Sequence, residues 1–104
     1  MIGRVTSSRG LHRRCRVHLA SPLRSYFDGA SVVELEGPLS RVDDLLLAMD
    51  RASPGVRFRM VDERDRLRPF LKLVIGGREC AHLQDPLPEG AEFECHILAA
   101  LSGG

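Results

Sequence analysis

Residues 39–53, LSRVDDLLLAMDRAS, carry the one sustained helical period in the chain. Leu39, Val42, Leu45, Leu46 and Met49 recur at spacings of three and four, so a helix would present them as a single apolar stripe. Ser40 stands where a cap is needed, and Asp43 and Asp44 fall in the first turn, where the helix dipole favours negative charge. Arg51 lies near the other end, and Pro54-Gly55 stops the helix.

The segments around this helix have a period of two. In RCRVHLA (14–20), Cys15, Val17 and Leu19 alternate with Arg14, Arg16 and His18, the pattern of a strand with one wet face. SPLRSYFDGA (21–30) reads as a connection with a turn at Asp28-Gly29. In ASVVELEG (30–37), Val33 and Leu35 alternate with Val32, Glu34 and Glu36. The short connection predicts that these two strands pair antiparallel. After the helix, VRFRMVDERDRLR (56–68) is highly charged; alternation of Val56, Phe58 and Met60 predicts a loop with a short extended piece. PFLKLVI (69–75) is the strongest strand, Gly76-Gly77 a hairpin turn, RECAHL (78–83) a short return strand, QDPLPEGAEF (84–93) turn-rich, and ECHILA (94–99) the last strand.

The order is therefore β-β-α-β-β-β, a two-layer α+β domain. A hairpin, one helix and then a strand pair is the β-grasp (ubiquitin-like) order, with one helix packed on a mixed four- to five-stranded sheet. Parity places Leu71, Leu73, Ile75, Val17, Leu19, Val33, Leu35 and Ile97 under the helix. The opposite parity holds Phe70, Lys72, Val74, His18, Val32, His96 and Leu98. An apolar cluster rimmed by charge on an uncovered sheet face marks an interface, so Phe70, Lys72, Val74 and Leu98 are the expected partner-binding residues.

Composition agrees with one small globular domain. The chain has 104 residues and 11.5 kDa, with 43% hydrophobic and 28% charged residues. Fifteen basic residues against fourteen acidic ones leave a net charge of +1, which disfavours a nucleic-acid partner. No apolar run approaches the roughly 18 residues of a membrane span. Three cysteines, Cys15, Cys80 and Cys95, with no CxxC spacing and no signal-peptide core, point to a reduced, cytoplasmic protein. Residues 1–13 are polar and Arg-rich and are read as a flexible basic arm; residues 14–98 form the domain and 99–104 a flexible tail.

Catalytic constellations are absent from the pattern. Cys95 and His96 are adjacent in a strand and point to opposite faces, so they form no dyad. Cys80-x-His82 offers two ligands without a second pair at ligand spacing, and no metal site is expected. Phosphate loops and the common hydrolase and metalloprotease motifs are missing. What remains is Gly103-Gly104, a terminal pair that arises by chance in roughly one chain in two hundred.

Leu87-Pro88-Glu89-Gly90, the strand and tail from His96 to Gly104, the helix Leu39–Met49 and the strand and turn Phe70–Gly77 together resemble the MoaD/ThiS group of ubiquitin-like sulfur carriers. The likeness covers about residues 14–104; Ala99 stands where that group commonly has proline, and Ala91 where aspartate is common. The resemblance implies a carrier and not an enzyme. Gly104 would be adenylated and converted to a thiocarboxylate, with Leu101, Ser102 and Gly103 as the tail that enters partner active sites. Residues without a Cβ permit that close backbone approach. The implied partners are an E1-like adenylating enzyme using ATP and Mg, a persulfide or sulfurtransferase sulfur donor, and a sulfur-accepting synthase such as that of molybdopterin (molybdenum cofactor) biosynthesis. The chain itself would bind no cofactor. Two alternatives stand beside this reading: a ubiquitin-like modifier joined to lysines through Gly104, and a β-grasp interaction module with an inert tail.

Overall fold

Alternating polar and apolar side chains in the first described segment form β1 (His12–His18), which turns back into β2 (Val32–Pro38). The computed structural model describes residues 12–100. The two strands pair antiparallel, with Cys15 opposite Leu35 and His18 opposite Val32. Between them, Ser21–Phe27 is not a simple turn but a 3-10 helix that has Pro22 in its first turn and buries Leu23. Asp28, in the left-handed region, and Gly29 end it.

The amphipathic segment forms α1 (Val42–Ala52). Leu39, Val42, Leu45, Leu46 and Met49 are all buried, at no more than 1% exposure, so the stripe read from the sequence is the face that packs on the sheet. The cap differs from expectation. Arg41, not Ser40, occupies the N-cap position, and the Asp44 carboxylate accepts the backbone N–H groups of Ser40 and Arg41, both at 2.9 Å. The next two donors, the Val42 and Asp43 N–H groups, reach the carbonyls of Asp85 and Leu83 at 2.9 Å, so the loop before the last strand closes the helix end.

Residues 56–60 are helical, which corrects the expected extended piece. They form α2 (Val56–Met60). Gly55, at φ +100°, turns the chain, and Asp50 accepts the N–H groups of Gly55 and Arg57. Val56 and Met60, four apart, are both fully buried, whereas Phe58 is 62% exposed. Arg57 ties α2 to α1 through Asp43, with Nε to Oδ1 at 2.9 Å.

The chain then forms β3 (Leu71–Ile75), the Gly76-Gly77 turn, β4 (Arg78–Cys80) and β5 (Glu92–Ala99). The sheet order is β2-β1-β5-β3-β4, with β1 and β5 parallel at the centre and the other pairs antiparallel. β1 begins at His12, so His12 and Arg13 belong to the sheet and not to the arm. Arg13 is tied down by the carbonyls of Leu39 and Pro88 and lies over the Phe93 ring. Ala99 likewise belongs to β5, opposite Leu71, and not to the tail. The core lies between α1 and one face of the sheet, and Val17, Leu19, Leu35, Leu71, Leu73, Ile75 and Ile97 are buried there as parity predicts. Val33 is partly buried against it.

Candidate functional site

The opposite face of the sheet is not covered by any described element, and it has two halves. At one end Arg14 and Arg16 lie between four glutamates. Arg14 pairs with Glu36 and Glu92, at 3.3 and 3.0 Å, and Arg16 with Glu34 and Glu94, at 3.5 and 3.7 Å. Each of these groups is half exposed or more, so this lattice adds little stability. It does keep that end of the face hydrated.

The other end is where β5 runs out. His18 on β1 stands directly opposite His96 on β5, and their rings stack 4.1 Å apart and 5° from parallel. Val32 flanks His18 and Val74 flanks His96 in the neighbouring strands. Leu98 follows on β5, 48% exposed, with Lys72 opposite it. Beyond the edge of this patch, His18, Leu19, Ala20, Pro22, Leu98 and Ala99 line an open, mostly apolar groove of about 510 Å³. The β3–β5 ladder continues one step past the strand, since Ala100 N–H donates to the Phe70 carbonyl at 2.7 Å. The described chain therefore leaves the sheet beside the groove.

Of the residues expected to bind partners, Lys72, Val74 and Leu98 come together on this face. Phe70 is 37% exposed and lies just before β3, where it shares a cleft with Phe58, Arg59 and Arg68. It sits at the margin, next to an aromatic that was expected in an extended segment. Leu101, Ser102, Gly103 and Gly104 lie outside the described residues.

The thiols are shielded in the folded chain. Cys15, Cys80 and Cys95 are free and buried. Burial, with the charge of Glu94 next, pushes the Cys15 thiol up to about 12, and burial drives Cys95 up as well. Cys80 is buried while His82 is exposed, so the Cys80-x-His82 pair does not converge. Sequence reading placed His18 and His96 on the open face but did not bring them together with Glu94. The signal that joins them is the parallel β1–β5 register, which pairs residues 78 positions apart.

No family model matches the chain, and no curated protein matches it in sequence. Solved structures do match its fold. The Amycolatopsis orientalis BexX/CysO complex contains a chain with TM-score 0.72 and 22% identity, covering 86% of this chain and 99% of that one. Mycobacterium tuberculosis CysO gives TM-score 0.72 at 17% identity, over 84% of this chain and 99% of that one. Small archaeal modifier protein 1 from Haloferax volcanii gives 0.69 at 22% identity, over 88% and 99%.

In fold, the chain is a β-grasp (ubiquitin-like) domain.

The match of this β-grasp chain spans nearly the full length of each of these chains. Its helical content exceeds the single helix of the sequence reading: the described residues also hold α2 and the 3-10 helix. Among the described residues, no helix is long and apolar enough to cross a membrane.

Proposed function

We propose that the chain is a ubiquitin-like sulfur carrier that acts through the carboxylate of Gly104. The observation that carries this reading is the exit of the chain. Among the described residues, the last sheet hydrogen bond is made by Ala100, beside an uncovered apolar patch, and a Gly-Gly pair follows within four residues in the sequence. Four residues reach at most about 14 Å. A partner gripping the patch would thus hold the diglycine within its own active site. That one relative is seen in a BexX/CysO complex supports partner binding by domains of this fold.

A carboxylate is a poor electrophile. In the proposed chemistry it attacks the α-phosphorus of ATP on an E1-like enzyme with Mg, and pyrophosphate leaves. The outer sulfur of a persulfide carried by the sulfurtransferase then displaces AMP to give an acyl disulfide. A second thiol of the donor enzymes attacks the S–S bond, keeps the donor sulfur as a disulfide and releases the thiocarboxylate, which a synthase consumes, as in molybdopterin synthesis. The domain contributes no reacting side chain; it acts as a co-substrate. The likeness to small archaeal modifier protein 1 favours a second outcome, in which a lysine amine displaces AMP and an amide forms.

The test is pyrophosphate exchange on the cognate adenylating enzyme. The native chain supports exchange, and a chain with one alanine added after Gly104 does not, because a misplacement of about 1 Å already costs a hundredfold. Equal exchange by both chains contradicts the proposal.

A further inference from the structure

We propose that His18, His96 and Glu94 form a binding site for one divalent transition-metal ion of the zinc class. Their donor atoms lie within 4.8 Å of one another on the open face. His18 Nε2 is 2.7 Å from Glu94 Oε1, and His96 Nε2 is 3.9 Å from the same oxygen. A tetrahedral ion with bonds of about 2.0–2.1 Å requires ligand atoms about 3.3–3.5 Å apart. Small rotations of side chains that are one-third to one-half exposed meet that spacing. The ion takes the place of the direct contact between His18 Nε2 and Glu94 Oε1.

The backbone supplies the preorganisation. The parallel register fixes His18 against His96, and Glu94 follows from the same strand face, two residues before His96. Val32 and Val74 wall the two imidazoles on the outer sides. Two cations stand near: Arg16 pairs with Glu34 at 3.5 Å and, at 3.7 Å, with Oε2 of Glu94, the oxygen that the histidines do not face, and Lys72 pairs with Glu79 at 4.0 Å. Two imidazoles and one carboxylate suit zinc and its neighbours, and not the all-oxygen shells of magnesium or calcium. Three protein ligands leave a fourth position open to solvent, next to the groove, for water or for a side chain of a protein docked there. The inference does not rest on the carrier reading and stands if Gly104 is inert.

Zn²⁺ is titrated into the reduced full chain at pH 7.5, with calorimetry and the histidine ring signals followed by NMR. The expected result is saturation at one ion per chain, with the His18 and His96 signals moving together. Glu94→Gln and His96→Ala should each weaken binding at least tenfold, since loss even of an outer partner costs roughly 10–100-fold. Circular dichroism of each variant verifies the fold. His18 and His96 signals that stay fixed in millimolar Zn²⁺ overturn the proposal. So does affinity that is unchanged in the folded His18→Ala/His96→Ala double variant, which would assign the ion to His12, His82 or a thiol.

Discussion

Arg13 Nε on β1 donates to the carbonyl of Leu39, 26 residues away, at 2.9 Å. The same guanidinium bonds the Pro88 and Gly90 carbonyls and lies 5.0 Å over the Phe93 ring. One half-buried side chain thus fastens the first strand to the loop entering α1 and to the loop entering β5. Hydrogen bonds from a charged donor contribute about 1.5–3 kcal/mol each, less where they are shared. Arg13→Ala should lower the unfolding free energy by about 2 kcal/mol in urea denaturation. Arg13→Lys should recover little of it, because an ammonium cannot fork between separate carbonyls. A loss below about 0.5 kcal/mol, the ordinary range for a surface substitution, would contradict this role.

Gly76 and Gly77 form the β3–β4 turn with φ of +60° and +83°. A Cβ on Gly77 would meet nothing within 4 Å, whereas one on Gly76 would stand 2.9 Å from Pro88 Cγ. Gly77→Ala should therefore cost about 1–2 kcal/mol for the left-handed backbone alone. Gly76→Ala should cost at least about 1 kcal/mol more, from overpacking against Pro88. Equal losses in the two variants, read from chemical denaturation, would show that the turn does not press on the 86–88 loop.

Asp44 gives the fold an acid-sensitive contact. Burial acts to raise its carboxyl, but the N–H groups of Arg41 and Ser40 and the Ser40 hydroxyl outweigh that and hold it below the ordinary carboxylate range. A lowered folded value means stability that is present above the unfolded value, near pH 3.9, and lost as pH falls through the folded one. Asp44→Ala should be less stable than the native chain by about 1 kcal/mol at pH 7. That gap should persist down to about pH 4 and close below it. A gap that is the same at pH 7 and pH 2 would mean that the carboxylate charge contributes nothing.

The parts of this fold that were legible in the sequence are those with a sustained period. The α1 stripe and the parity of β1, β3 and β5 follow directly from spacing, because a single-faced element has one way to bury its apolar side. α2 was not legible. Val56, Phe58 and Met60 alternate as in a strand, and only the burial of Val56 and Met60 against an exposed Phe58 reveals a period of four. Arg13 was hidden by its setting in a polar, Arg-rich stretch; its partners are carbonyls, which no side-chain pattern announces. The open face of the sheet was legible in its centre, where Lys72, Val74 and Leu98 come together, and less so at Phe70, which shares a cleft with α2. The His18–Glu94–His96 grouping depends on a parallel pairing between the first and last strands, and long-range register is not written in local alternation.

The central claim is that the end of the chain at Gly104 is the reacting group. Its most direct test is the intact mass of the protein purified from its own host, before and after alkylation of any thioacid. The account predicts a fraction heavier than the free chain by the exchange of one carboxyl oxygen for one sulfur, with the change confined to Gly104 in the C-terminal peptide. That fraction should disappear when the adenylating enzyme is deleted. A native chain found only as the free carboxylate under sulfur-replete growth, or one that continues past Gly104, would contradict the account. A mass shifted only by amide-linked target proteins would replace the carrier with a modifier.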